Sequence, residues 1–231
     1  MRLFLSFCVF LFSIYTPAFS QDAEELVNKV KAKLDKVKDY KAEGRMRMDV
    51  SFIDAPPSRV VVYYKNPDKF KVKKDGGISI LPKGGISINL GSVLSGGEYD
   101  VVPKKDSVLN GVLTKVVKLL PVDENSEVVL TTLYIDEKNL VVRKATVTTR
   151  ESGTYEIELS YGKYTAWGLP DKVVFSFNTK DYKLPKGITF EYEKGGKKKE
   201  ENLKNKKGKV EISYSTYSIN KGIDNSIFEA D

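Results

Sequence analysis

The sequence contains no histidine and one cysteine in 231 residues. Without histidine there is no Ser-His-Asp triad, no Cys-His dyad and no imidazole-ligated zinc site. The one cysteine, Cys8, excludes an intrachain disulfide. Long apolar runs are scarce as well: one spans Leu3 to Tyr15, broken only by Ser6 and Ser13, and no second one follows. Acidic residues are outnumbered, 31 Asp and Glu against 38 Lys and Arg, for a formal net charge of +7. What is present suffices for a core. The apolar content of 41% argues against wholesale disorder, and a chain of this length buries roughly 70% of the surface it would expose unfolded.

The first twenty residues read as a secretory signal peptide. Arg2 supplies the positive start, the Leu3 to Tyr15 run follows, and Ala18-Phe19-Ser20 places small residues at the two positions that matter for cleavage before Gln21. The run falls short of the about 20 residues that span a bilayer comfortably, so a cleaved peptide is favoured over an uncleaved anchor. Phe7 stands before Cys8 where a lipidated cysteine would have a small residue. Cleavage removes Cys8, and the thiol-free remainder suits an oxidising compartment such as the periplasm.

The remaining chain, 21–231, reads as one domain. Asp22 and Glu25 form a capping pattern ahead of an amphipathic helix. Leu26, Val30, Leu34 and Val37 make its apolar stripe, with lysines over most of the rest. The period then becomes two. Met46, Met48, Val50 and Phe52 alternate with Arg45, Arg47, Asp49 and Ser51, the pattern of a strand buried on one face. Further strands read at about 59–65, 70–73, 77–81, 86–90, 114–120, 128–136, 140–149, 153–163, 171–178, 188–193 and 209–219. The turn chemistry between them, as in Asn66-Pro67-Asp68 and Glu151-Ser152-Gly153, is that of hairpins. Gly76-Gly77 and Gly84-Gly85 lack the Lys-Ser/Thr ending of a phosphate loop and read as hairpin glycines. The expected fold is mainly β: a curved antiparallel sheet forming an unclosed half barrel, with the N-terminal helix on its concave face as plug or lid. Residues 194–209, with eight lysines and no aromatic residue, read as an exposed loop. Export and the missing aromatic interleaving argue against nucleic acid as the partner of this basic segment.

Carboxylates are the familiar hydrolytic route left open. Glu156 and Glu158 share a strand face, but they alternate with Tyr155, Ile157 and Leu159, which points them to solvent rather than across a cleft. The reading is therefore non-enzymatic. The faces Met46/Met48/Val50/Phe52, Phe70/Val72 and Tyr155/Ile157/Leu159/Tyr161 suit a plain core first and the wall of an apolar cavity second. Methionine's flexibility would favour the second use.

The succession of segments resembles a known family. An exported chain opens on AEELVNKVKAKLDKVKDYKAEG from Ala23, continues through KNPDKFKVK from Lys65, LLPVD from Leu119 and LYIDEKNLVVRKATV from Leu133, and closes on YSINKGIDNSIF from Tyr217. This resembles the LolA/LolB-like periplasmic lipoprotein carriers, the outer-membrane lipoprotein-sorting proteins. YGKYTAWGLPDKVVFSF from Tyr161 looks like a variant found in Bacteroidota-type members. The resemblance implies a cavity for lipoprotein acyl chains or lipid, lined by the three faces named above and covered by a lid carrying Leu26, Val30, Leu34 and Val37. It also implies loading by an inner-membrane transporter, delivery to an outer-membrane acceptor, action as a monomer and no cofactor. A LolA-like envelope sensor that binds without transporting is the alternative. One residue departs from the pattern. Asn66 stands where the best-known carriers have an arginine that latches the lid, and an amide lacks the charged five-donor fork of a guanidinium. Exported in a bacterium, the chain should begin at Gln21, as read by N-terminal sequencing or intact mass; a mature chain still starting at Met1 would refute the cleavage site.

Overall fold

The computed structural model describes residues 18–49, 56–67, 69–74, 94, 97–151, 153–178 and 207–229. Helix α1 (Ala18–Leu34) comes first. It begins upstream of the expected capping pattern, so Asp22 and Glu25 lie inside it; Glu25 pairs instead with Lys29 one turn on, at 2.8 Å. Ala23, Leu26, Val27 and Val30 are its buried face, with Leu34 half-buried beside them. Val37, expected on the same stripe, lies past the helix end. Lys36 and Val37 already bond back three residues in tight turns, and Val37 packs in a second cluster.

Ten strands follow: β1 (Asp39–Asp49), β2 (Ser58–Lys65), β3 (Lys69–Lys74), β4 (Tyr99–Leu109), β5 (Val112–Pro121), β6 (Val128–Asp136), β7 (Val141–Thr149), β8 (Gly153–Ser160), β9 (Lys172–Asn178) and β10 (Lys207–Ile219). They form one antiparallel sheet in the order β3-β2-β1-β10-β9-β8-β7-β6-β5-β4, open between β3 and β4. Every neighbouring pair is a hairpin in sequence except β1 with β10, which joins the chain's first strand to its last.

The sheet curls, and packing shows why. At about 4.8 Å per strand, ten flat strands would be roughly 45 Å wide, whereas a helix is about 10–12 Å across. Yet α1 shares one buried cluster with side chains from β1, β2 and β5 through β10. Only a sheet wrapped around the helix brings all these strands to it. Alternation does the sorting: on β8, Tyr155, Ile157 and Leu159 point inward while Glu156 and Glu158 point outward, where Glu156 meets Lys144 at 2.7 Å.

Sequence periodicity missed β4. Its sequence, YDVVPKKDSVL, holds Pro103 and three consecutive charged residues, and its ladder to β5 slips between Lys104 and Ser107. All three features suit an edge strand, where a missing N–H and a bulge cost nothing inward and blunt the open edge. Lys207, Gly208 and Lys209, placed in the exposed loop by composition, pair with Asn178, Phe177 and Ser176 at the start of β10. The rest of that loop, and the strands expected at 77–81, 86–90 and 188–193, lie outside the described residues.

One glycine is fixed by a close approach. A Cβ on Gly44 would sit 2.4 Å from the Ser213 carbonyl oxygen, at the bulge where the β1–β10 ladder shifts register. Backbone cannot yield as a side chain can. Gly44→Ala should therefore destabilise the protein by about 3 kcal/mol in urea unfolding; an unchanged midpoint would show that the ladder relaxes freely.

Candidate functional site

The inner face of the sheet is an apolar trough with α1 lying in it. Met46 and Met48 from β1, and Tyr155, Ile157 and Leu159 from β8, are buried in the cluster that α1 completes. Val72 is half-buried against it, and so is Tyr161, which lies just past the end of β8. Phe70 belongs to a second cluster on the same face with Val37, Tyr40, Ala42, Val62, Tyr64 and Leu169. There Tyr40, Tyr64, Tyr164, Tyr214 and Tyr217 stack at centroid separations of 4.8–5.3 Å. Burial pushes the Tyr40, Tyr214 and Tyr217 hydroxyls well above the ordinary tyrosine range. Val50 and Phe52 lie outside the described residues.

Among the described residues, two cavities run along one side of α1, adjoining at Lys29, Lys138 and Leu140. One, of about 870 Å³, lies between α1 and the β4–β5 ladder and has an apolar floor of Ala23, Leu26, Pro103, Val117 and Leu140. Its rim carries Lys29, Lys104, Lys105, Lys115 and Lys138 against Asp22, Glu25, Asp106 and Glu137. The other, about 650 Å³, lies under the last turns of α1 against Asn139, Leu140, Thr165 and Ala166. Both fall in the size range of ligand sites, about 300–1,000 Å³. Opposite charges on the rim of the first largely cancel in pairs: Glu25 with Lys29, and Asp106 with Lys115 at 2.9 Å.

A polar knot holds α1 down. Asp136, buried at the end of β6, receives Arg143 Nη2 at 2.7 Å, Asn139 Nδ2 at 2.9 Å and the Asn139 N–H at 3.1 Å. This fixes the turn between β6 and β7, and the Asn139 carbonyl accepts a 2.6 Å hydrogen bond from Lys33 of α1. Burial alone would raise the Asp136 carboxyl. The hydrogen bonds from Asn139 and Arg143, with the guanidinium charge, outweigh it and hold the group below its ordinary value. Partial burial lowers Lys33. Arg143 also lies over the Tyr161 ring, whose hydroxyl donates to the Val142 carbonyl at 2.9 Å. Past the helix, Asn220 clasps the chain: its side chain accepts from the Lys38 N–H and donates to the Lys36 carbonyl.

Asn66, at the position of the family latch, lies elsewhere. Its N–H bonds the Lys38 carbonyl at 2.8 Å, and among the described residues its side chain makes no hydrogen bond to α1. The residues that do tether the helix, Lys33 with Asn139 and Asp136 behind it, were missed by sequence reasoning. Their signal was the Ile-Asp turn within LYIDEKNLVVRKATV: an aspartate ending an apolar strand, with Asn three residues on and Arg seven residues on. Among the described residues no cluster of Asp, Glu, Cys or His has the makings of a metal site, and no helix is long and apolar enough to cross a membrane.

No family model and no curated protein matches the sequence. Solved structures do match. A putative outer membrane lipoprotein-sorting protein domain from Vibrio parahaemolyticus superposes with a TM-score of 0.56 at 14% identity, over 90% of this chain and 97% of that one. A LolA-superfamily protein from Nitrosomonas europaea gives 0.56 at 11% identity, again over 90% and 97%. A DUF1329-family protein from Desulfovibrio piger gives 0.55 at 11%, over 91% and 97%. The chain has the LolA-like fold. At these identities the likeness is one of architecture, and it spans nearly the full length of each partner.

Within this LolA-like fold the Asp136 knot has a measurable signature. A carboxyl whose folded-state pKa is depressed contributes stability above its unfolded pKa, and that contribution fades as pH falls through the folded value. Asp136→Asn should therefore cost about 2 kcal/mol at pH 7. The gap between variant and wild type should close below about pH 4. Urea midpoints across pH test this, and a gap independent of pH would place the effect in packing instead.

Proposed function

We propose that the protein is a non-enzymatic periplasmic carrier that holds acyl chains of lipoproteins or lipid between α1 and the apolar trough. The observation that carries this is the cavity of about 870 Å³ beside α1, apolar on its floor and charged at its rim. An amphiphile with a hydrocarbon tail and a polar head matches that division. Two of the solved structures with this architecture support the reading, since one is named an outer membrane lipoprotein-sorting domain and the other a LolA-superfamily protein.

Energetics fit capture and release. Each CH₂ moved from water into the trough is favourable by about 0.8 kcal/mol, so a long tail provides ample affinity. The opposing need is to let go. In this reading α1 is the lid, with Leu26, Val30 and Leu34 as its tail-facing side and Val37 beyond its hinge end. The expected wall residues Met46, Met48, Phe70, Val72, Tyr155, Ile157, Leu159 and Tyr161 lie in the packed inner face and do not line the larger cavity; in this reading they meet the tail when α1 lifts. Lys33 to Asn139 takes the latch role that Asn66 does not fill. The mature unit is 21–231 as one monomeric domain, receiving cargo from an inner-membrane transporter and passing it to an outer-membrane acceptor.

Native mass spectrometry of the protein from a bacterial periplasm tests this directly. Wild type should carry lipid, or acquire a triacylated peptide when mixed with one. Leu26→Gln, which puts an amide on the cavity floor, should weaken that binding about tenfold while circular dichroism stays native. A wild-type protein that remains free of lipid under both conditions would overturn the carrier reading.

A further inference from the structure

We propose that the β4–β5 hairpin is a membrane-docking wedge, which inserts its aliphatic tip into the interface of a bilayer containing anionic lipid. The tip reads Val108-Leu109-Asn110-Gly111-Val112-Leu113. Asn110 and Gly111 both take positive φ, 49° and 79°, which makes the tight two-residue hairpin turn. Four aliphatic side chains therefore surround the turn. Val108 pairs directly with Leu113, and Leu109 with Val112.

The β5–β6 ladder begins at Lys115 with Ile135, so, among the described residues, 107–114 pair only with one another; Thr114 is buried at the base, while Leu109 and Val112 are half-buried. Val108 and Leu113 keep 64% and 63% of their surface exposed, more than any other large apolar side chain described. Folding gains nothing from such exposure, and contiguous exposed aliphatic surface marks a binding site.

The chemistry of the surroundings selects the occupant. Lys104, Lys105 and Lys115 lie on the hairpin behind the tip, and Lys138 lies on the neighbouring β6–β7 turn. Asp106 is spent on Lys115 at 2.9 Å, and Glu137 is the remaining acidic rim residue on this turn. A second set of exposed aliphatics, Val102, Leu120, Val122 and Val129, lies toward the opposite end of the same strands, but beside the acidic Asp100, Asp123, Glu124 and Glu127. Of these two exposed aliphatic sets among the described residues, the tip is the one with basic flanks. Lysines can keep their stems among the headgroups and their charges at the phosphates. A protein partner is less well served: the tip is convex and has none of the Trp, Tyr or Arg that anchor protein interfaces. The larger cavity is lined at the base of this hairpin by Pro103 to Asp106 and Lys115 to Val117, so a docked wedge would bring that opening to the membrane surface. The wedge does not depend on what the trough holds.

Co-sedimentation with vesicles of phosphatidylethanolamine and phosphatidylglycerol, using the full protein purified after export, tests the wedge. Wild type should sediment with these vesicles and less with purely zwitterionic ones. Val108→Ser with Leu113→Ser should weaken binding by about tenfold or more. Lys104→Ala with Lys105→Ala should weaken it about fivefold per lysine at low salt. As a second readout, Leu113→Trp in a Trp167→Phe background should shift its fluorescence to the blue on mixing with vesicles. Wild type that stays in the supernatant, serine variants that bind as wild type does, or a tryptophan emission unmoved by vesicles would overturn the proposal. So would a dimer in sedimentation velocity that Leu113→Ser dissolves, since the tip would then be a contact between copies.

Discussion

Among the described residues, the architecture depends on covering the apolar face of a ten-stranded sheet with α1, to which the helical residue Leu94 adds one buried side chain. Sheets of this kind have one face to hide, and α1 is far narrower than the sheet is wide. Curvature resolves the mismatch: β1, β2 and β5 to β10 bend until they share one buried cluster with Ala23, Leu26, Val27 and Val30. The cover is incomplete along one side of the helix, and the two cavities adjoin there at Lys29, Lys138 and Leu140. The same constraint thus yields both the fold and its vacant space. A flatter sheet would expose the core.

Two kinds of interaction hold the helix, and they differ in character. The apolar stripe contributes most of the free energy but little direction, since hydrophobic burial is non-directional. The Asp136 knot contributes direction. Its carboxylate satisfies four donors, fixes the β6–β7 turn, and through that turn presents the Asn139 carbonyl to Lys33. The tyrosine cluster forms a second aromatic patch on the inner face, apart from the first cavity, whose rim carries lysines and carboxylates.

Much of this was legible in the sequence. Alternation at Met46 and Met48 and at Tyr155 to Leu159 named the inward faces correctly, because burial on one face leaves a period of two. The helix was legible for the same reason at its own period. What failed to show was structure that escapes periodicity. β4 has Pro103 and a charge run because it is an edge, so it reads as a loop. Val37 kept helical spacing past Leu34 because the second cluster recruited it. The tether at Lys33 was invisible because it joins residues 106 positions apart; nothing local distinguishes that lysine from its neighbours Lys29, Lys31 and Lys36. The family latch position, Asn66, drew attention to the wrong turn.

The strand order has a consequence for how the molecule comes into being. Among the described strands, β1 to β3 form one set of hairpins and β4 to β9 another, and β10 alone joins them, pairing with β1 on one side and β9 on the other. A chain that emerges from its N-terminus must therefore hold both halves unfinished until its last strand arrives. Closing Tyr40 onto Ile219 spans most of the sequence, the kind of long-range closure that slows folding and leaves apolar edges waiting. The final strand thus acts as the clasp that commits both halves at once.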